Sequence, residues 1–118
     1  MADRAVARTL PAAAALSAAM AIAAAAFGAH AAASERAAGW LRTGGEYQLA
    51  HAIAAIALVR WPFLMRQGWV LLAGGFIFAT TLYLMALGGP LWLGAVTPVG
   101  GVLMIGGWLW AAWAFWFG

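Results

Sequence analysis

The chain has 118 residues, of which 67% are hydrophobic and 8% are charged, with a net charge of +3 and no cysteine. Soluble domains are typically about 45–50% apolar and about 25% charged. This composition therefore excludes a soluble enzyme, a nucleic-acid-binding domain and a disordered tail. The missing cysteine excludes disulfides, zinc–thiolate sites and cysteine nucleophiles. A small integral membrane protein remains.

Apolar stretches in four places predict membrane-spanning helices, each of which needs roughly 20 mostly apolar residues. The predicted spans are residues 10–33, 46–64, 69–87 and 96–117. Gly44-Gly45, Arg66–Gly68 and Gly88–Pro90 mark the connections between them. Because these connections are short, consecutive helices are expected to be antiparallel neighbours. The sequence thus predicts a single all-α transmembrane domain over residues 1–118, a four-helix bundle with short loops.

Arginine positions predict how this bundle is oriented, because arginine is enriched on the cytoplasmic side of a membrane. The side that holds both termini carries Arg4, Arg8, Arg60 and Arg66. The opposite side carries only Arg36 and Arg42. We therefore expect a multi-pass protein of the inner (plasma) membrane with both termini in the cytoplasm.

The first stretch also has features of a signal peptide. Arg4 and Arg8 precede its apolar run, and Ala29-His30-Ala31 has the small residues typical of a cleavage site. The apolar run is about 20 residues long, more than a usual signal peptide contains, which favours a retained span.

Helical periodicity assigns faces to the spans. On the second span, Tyr47, His51, Ala54 and Leu58 form a stripe predicted to face the bundle, opposite a lipid-facing stripe that includes Ile53. On the third and fourth spans, the predicted contact faces contain Gly75 and Gly101. Small residues allow the close backbone approach that holds helices together in lipid. The predicted packing glycines are Gly28, Gly75 and Gly101.

Polar residues are predicted to gather near the outer ends of the spans. The candidate cluster consists of His30, Tyr47, Gln48, His51, Tyr83 and Thr97. Polar groups in a membrane are costly unless they find partners. The cluster therefore has three interpretations: mutual hydrogen bonds that join the helices, a ligand-binding or proton-relay site, or metal or haem ligation by the two histidines.

No set of catalytic residues is recognisable. The chain contains no Ser–His–acid arrangement at a nucleophile elbow, no phosphate-binding glycine loop followed by lysine, and no paired carboxylates. We therefore predict no enzymatic activity, no catalytic residue, no metal site and no cofactor.

Several short motifs, in order along the chain, resemble a known family. They are Phe27-Gly28-Ala29-His30, Trp40-x-x-Thr43, Tyr47-Gln48-x-x-His51-Ala52, Leu82-Tyr83-x-x-Ala86-Leu87, Thr97-Pro98-x-Gly100-Gly101 and Gly107-Trp108. Together they resemble the small membrane-protein family known as domain of unknown function 423, which is similar to animal transmembrane protein 256. The resemblance implies a multi-pass bacterial inner-membrane protein and no particular activity. It also argues against cleavage of the first span. The alanine-rich first span departs from the family pattern.

Two classes of function follow from these observations. The first is a non-enzymatic membrane protein with an accessory, scaffold or envelope-homeostasis role. The second is a small transporter or ligand-binding membrane protein that uses His30 and His51 of the polar cluster, and a haem or quinone redox module is a further alternative. The expected partners are the lipid bilayer and, as candidates, other membrane proteins or a second copy of the chain, but no nucleic acid.

Overall fold

The computed structural model describes the backbone of residues 2–118 and the side chains of residues 5 and 7–118. Its helices are α1 (Ala2–His30), α2 (Glu35–Leu58), α3 (Met65–Ala86) and α4 (Thr97–Phe117). Short 3₁₀ helices at Pro62–Leu64 and Leu91–Ala95 precede α3 and α4. This described part of the chain contains no β-strand, in agreement with the all-α prediction. The side chain of Arg4, used above to predict the orientation, lies outside the described residues.

The helices pack side by side in chain order. α2 lies between α1 and α3, and α4 packs on α3. One core cluster joins Leu10 near the start of α1 to Ala55 near the end of α2, and another joins Leu41 near the start of α2 to Ala86 at the end of α3. Consecutive helices therefore run antiparallel, as the short connections predicted.

The start of α2 corrects the predicted boundary at residue 46. The helix begins at Glu35, where the Ser34 side chain caps it by accepting a hydrogen bond of 3.0 Å from the Ala37 N–H. Gly44 and Gly45, predicted as a connection, lie inside the helix and are buried. A Cβ on Gly44 would lie 2.7 Å from Cε1 of Tyr83, and a Cβ on Gly45 would lie 3.1 Å from the carbonyl oxygen of Ala21. The glycine pair therefore serves helix packing rather than chain reversal.

Three helical segments of the described residues are long and apolar enough to cross a membrane. They are Ala7–His30, Pro62–Ala86 and Leu91–Phe117. α2 is not among them, because polar and charged residues occupy its first half. The length and hydropathy of the first, third and fourth helices thus support the prediction that they span a membrane. α2 is less apolar, and it packs between α1 and α3.

The connection between α3 and α4 agrees with the prediction from Gly88–Pro90. Gly88 has a φ of +96°, which L side chains rarely adopt. The N–H of Gly89 donates a 2.7 Å hydrogen bond to the carbonyl oxygen of Leu84. The turn is therefore specified locally by glycine.

The predicted packing glycines behave differently from one another. A Cβ on Gly28 would lie 2.9 Å from Cβ of Leu41, and a Cβ on Gly75 would lie 3.2 Å from Cβ of His51, so both lie at helix contacts. Gly101 does not: a Cβ there would meet no atom within 4 Å. Its neighbour Gly100 makes the contact, since a Cβ there would lie 2.5 Å from the backbone nitrogen of Phe78. The predicted contact face of α4 was therefore wrong by one residue at this point.

Candidate functional site

Gln48 joins three helices near the middle of the bundle. Its side chain is 1% exposed. Its Nε2 donates a 2.9 Å hydrogen bond to Oγ of Ser17 on α1, and its Oε1 accepts a 2.6 Å hydrogen bond from the hydroxyl of Tyr83 on α3. Two of the six predicted cluster residues, Gln48 and Tyr83, are thus in direct contact, and Ser17 completes the chain of hydrogen bonds.

His51 forms a second group of hydrogen bonds between α2 and α4. Its Nδ1 lies 2.8 Å from the carbonyl oxygen of Tyr47, one turn earlier, and its Nε2 lies 3.0 Å from the indole nitrogen of Trp108. A carbonyl oxygen can only accept and an indole N–H can only donate. Both bonds therefore form together when His51 is neutral, with its proton on Nδ1.

The remaining predicted cluster residues lie elsewhere. Thr97 begins α4, and its hydroxyl is 2.7 Å from that of Thr81 on α3. Tyr47 contributes its backbone carbonyl, while its side chain is 47% exposed and packs against Phe78 with ring centroids 4.9 Å apart. His30 ends α1 and is exposed, and among the described residues its side chain makes no hydrogen bond. The structure thus separates the two histidines that were predicted to lie together.

The structure also gives the positions of these residues along the helices. Because α2 begins at Glu35, Gln48 and His51 lie in its interior rather than near its start. Ser17 and Trp108 likewise lie in the interiors of α1 and α4. Four of the hydrogen-bonded residues therefore lie toward the mid-length of their helices, where unpaired polar groups are most costly in lipid. Tyr83 lies close to the end of α3, and Thr97 begins α4.

An open groove lies against His51 between α2, α3 and α4. It encloses about 440 Å³ and is lined by Tyr47, His51, Phe78, Gly101, Met104, Ile105 and Trp108. Gly101 keeps it open, because no side chain projects from that position. Aromatic rings form much of its wall, and the imidazole of His51 is a polar group at its surface. We name these seven residues the His51 groove.

Sequence reasoning did not include Ser17, Thr81 or Trp108 in the cluster. Trp108 lies on the face of the fourth span that helical periodicity predicted to contact the bundle, so the sequence did indicate its inward position. Ser17 offered a weaker signal, as a single polar residue in an alanine-rich helix. Within the described residues, no group of three or more His, Cys, Asp or Glu side chains could hold a metal ion.

Comparison with known proteins decides the family. The family model described as "Protein of unknown function (DUF423)" matches residues 24–101. The chain belongs to this family. The match begins within α1 and ends within α4, so it covers the connections between all four helices, together with Gln48, His51, Tyr83 and Thr97. Ser17 and Trp108 lie outside it.

Curated relatives are named as membrane proteins. A UPF0382 membrane protein of Staphylococcus haemolyticus is 37% identical over 73 residues, which are 53% of this chain and 56% of the relative. A UPF0382 membrane protein of Haemophilus influenzae is 31% identical over 81 residues, 63% of this chain and 64% of the relative. The UPF0382 inner membrane protein YgdD of Escherichia coli is 38% identical over 76 residues, 59% of this chain and 58% of the relative.

The matches thus span less than two thirds of each relative's length. No solved structure matches the chain. The relatives and the three apolar helices together identify an inner-membrane protein of a family of unknown function.

Proposed function

We propose that the protein is a non-enzymatic accessory or scaffold subunit of the inner membrane. The observation that supports this role most directly is the internal hydrogen bonding of Gln48 and His51. Gln48 bonds to Ser17 and Tyr83, and His51 bonds to Tyr47 and Trp108. Side chains that hydrogen-bond to one another within the bundle stabilise a helix arrangement and are not free to act as an acid, base or nucleophile.

We also propose that all four helices cross the membrane, with both termini in the cytoplasm. α2 packs antiparallel to α1 and α3, so an α1 and an α3 that both cross the membrane require α2 to return through it. Gln48 and His51 each form hydrogen bonds with other residues of the bundle, and these bonds lower the free-energy cost of placing the two side chains in lipid. Arg60 and Arg66, in or beside the α2–α3 connection, favour the cytoplasm at that end.

Purification of the tagged full chain in a mild detergent tests the accessory role. We expect one membrane protein to co-purify in a fixed ratio, identified by mass spectrometry. A Gln48→Leu variant removes the hydrogen bonds that join α2 to α1 and α3, and it should bind the partner less. Recovery of the wild-type chain with no protein in a fixed ratio would contradict the accessory role.

The His51 groove favours a second candidate function, the binding of a small apolar ligand from the bilayer. Its volume of about 440 Å³ lies within the usual range for ligand sites, about 300–1,000 Å³. The Trp108 N–H and both nitrogens of His51 are already hydrogen-bonded within the protein, so the aromatic and apolar wall would hold such a ligand.

Decylubiquinone is a suitable ligand with which to test quinone binding. The visible absorption spectrum of the purified protein tests separately for bound haem. Binding should raise the melting temperature of the wild-type protein in detergent. It should not raise that of Gly101→Leu, because leucine fills the groove from a position where a Cβ meets no neighbour. An unchanged melting temperature and a spectrum without haem bands would contradict this candidate function for the probes used.

A further inference from the structure

One side of α2 faces away from the other helices of the bundle. Gly39, Arg42, Glu46, Ala50 and Ile53 recur at helical spacing and therefore lie together on this side. The last four are exposed, and a Cβ on the first would meet no atom within 4 Å. The buried residues of α2 all lie on its other sides. We name these five residues the open face of α2.

The charged residues of the open face lie at the level of apolar segments of the neighbouring helices. Gly45, which precedes Glu46, packs against the carbonyl oxygen of Ala21 on α1. The apolar segment of α1 ends at His30, so this level lies roughly 13 Å inside that end, at about 1.5 Å per residue. With all four helices crossing the membrane, as proposed above, Glu46 lies well inside the hydrocarbon core, and Arg42 lies one turn closer to its surface.

Lipid alone is a poor environment for these two side chains. Charged groups are costly in hydrocarbon unless they are paired. Neither Arg42 nor Glu46 forms a hydrogen bond or an ion pair with another residue that the structure describes. A base that precedes an acid by four residues is also the less favourable order for a pair within one helix. The long side chain of Arg42 can extend toward the headgroups, but Glu46 is shorter and lies deeper. Another protein surface is therefore the better cover for this face.

We propose that the open face of α2 is the interface between two copies of the chain. This proposal rests on the crossing of the membrane by α2 proposed above. Copies inserted in the same orientation are related by a twofold axis along the membrane normal, and such an interface brings the same residues of both copies together. Arg42 of each copy then pairs with Glu46 of the other, one turn away.

The charges favour a second copy over an unrelated protein. The face carries one base and one acid, so it is complementary to itself under a twofold axis, and both pairs form at once. Gly39 and Ala50 lie on the same face, and small residues allow two helices to approach closely in lipid. The pairing thus places both charges of each chain between two helices rather than in lipid.

Cysteine cross-linking in native membranes tests this interface, because the chain has no cysteine of its own. Ala50→Cys places one thiol on the open face, and oxidation should give a disulfide-linked species of twice the mass of the chain. The matched control is Ala15→Cys, an exposed position of α1 near the level of the Ser17–Gln48 bond, which should remain a monomer. Equal cross-linking of both variants, no dimer in Ala50→Cys, or its linkage to a different protein would overturn the proposal.

Charge substitutions in the Ala50→Cys background test the two ion pairs. Glu46→Arg leaves only bases on the two faces, so the cross-linked dimer should be lost. Adding Arg42→Glu to it exchanges the two charges, keeps the face complementary to itself and should restore the dimer. Glu46→Gln introduces no new charge and should lower the cross-linked fraction of the membrane-inserted chain. A fraction that is unchanged in Glu46→Gln, or a dimer that survives Glu46→Arg, would overturn the assigned pairs.

Separate measurements distinguish failure of this interface from failure of the proposed function. Phosphatase fusions report whether α2 crosses the membrane, and co-purification reports the accessory role, and neither measurement requires a dimer. Missing cross-links in a chain whose fusions show a crossing α2 would overturn the interface alone. Fusions that place both ends of α2 on one side would overturn the crossing, and with it the depth of Glu46 on which the interface rests.

Discussion

The indole N–H of Trp108 donates a 3.0 Å hydrogen bond to Nε2 of His51 and thereby connects α4 with α2. α4 packs mainly on α3, so this bond links two helices with few other contacts. The ring of Trp108 also meets that of His51 edge-on, with centroids 6.0 Å apart. The pair therefore adds a direct link between α4 and α2 to the packing of α4 on α3.

Trp108→Phe should weaken the bundle, because it keeps an aromatic ring and removes the donor to His51. We expect a loss of about 1–3 kcal/mol in the free energy of unfolding, the usual cost of leaving a buried acceptor unpaired. Unfolding in mixed micelles with increasing SDS measures it. Trp110→Phe is the control, since Trp110 is 39% exposed and makes no side-chain hydrogen bond with the described residues. Equal stability of the two variants would contradict the structural role of the Trp108–His51 bond.

His51 and His30 should respond very differently to alanine substitution. His51→Ala removes two hydrogen bonds, so it should cost at least about 1–3 kcal/mol. His30→Ala should change stability by less than about 0.5 kcal/mol, as is usual for an exposed site. The same SDS titration measures both. A large loss in His30→Ala would contradict the exposed position of His30.

Gln48 and Tyr83 should be energetically coupled. Tyr83→Phe leaves Oε1 of Gln48 without its 2.6 Å donor, whereas in Gln48→Leu the Tyr83 hydroxyl has already lost its partner. The second change should therefore cost less in the background of the first. A double-mutant cycle should give a coupling of about 0.5–3 kcal/mol, as expected for directly contacting residues. Strict additivity would mean that this bond does not contribute to stability.

Two adjacent glycines of α4 provide a matched test of packing. Gly100→Ala should destabilise the protein by about 1–3 kcal/mol, the usual cost of overpacking, because its Cβ would lie 2.5 Å from the backbone of Phe78. Gly101→Ala meets no atom within 4 Å and gains helix propensity, so it should be neutral or stabilising by up to about 1 kcal/mol. Melting temperatures in detergent check both. The reverse order would place the contact face where the sequence alone predicted it.

Reporter fusions should place the α1–α2 connection and the end of α4 on opposite sides of the membrane. Alkaline phosphatase inserted after Ala33 should be active, since this enzyme matures outside the cytoplasm, whereas a fusion at Gly118 should be inactive. A green fluorescent protein fusion at Gly118 should fluoresce and serves as the positive control for the cytoplasmic side. Activity of both phosphatase fusions would contradict a membrane-crossing α2 or the proposed orientation.

Local sequence patterns predicted α3, α4 and the turn between them well. Their apolar runs are long, and Gly88 adopts a backbone conformation that glycine readily supplies. The same reasoning failed at Gly44-Gly45, because two adjacent glycines resemble a connection between helices when only the local sequence is considered. The pair instead lies where α2 packs closely against Tyr83 of α3 and Ala21 of α1. Both partners are far from it in the sequence, and glycine allows the close approach.

The amino-acid sequence by itself determined that this protein is all-helical, lies in a membrane and belongs to its family, because composition, hydropathy and motif order are properties of the chain alone. The tertiary structure decided which polar groups meet. Gln48 pairs with residues 31 and 35 positions away, and His51 pairs with one 57 positions away. Such partners depend on the rotation and relative height of packed helices, and periodicity within one helix specifies neither.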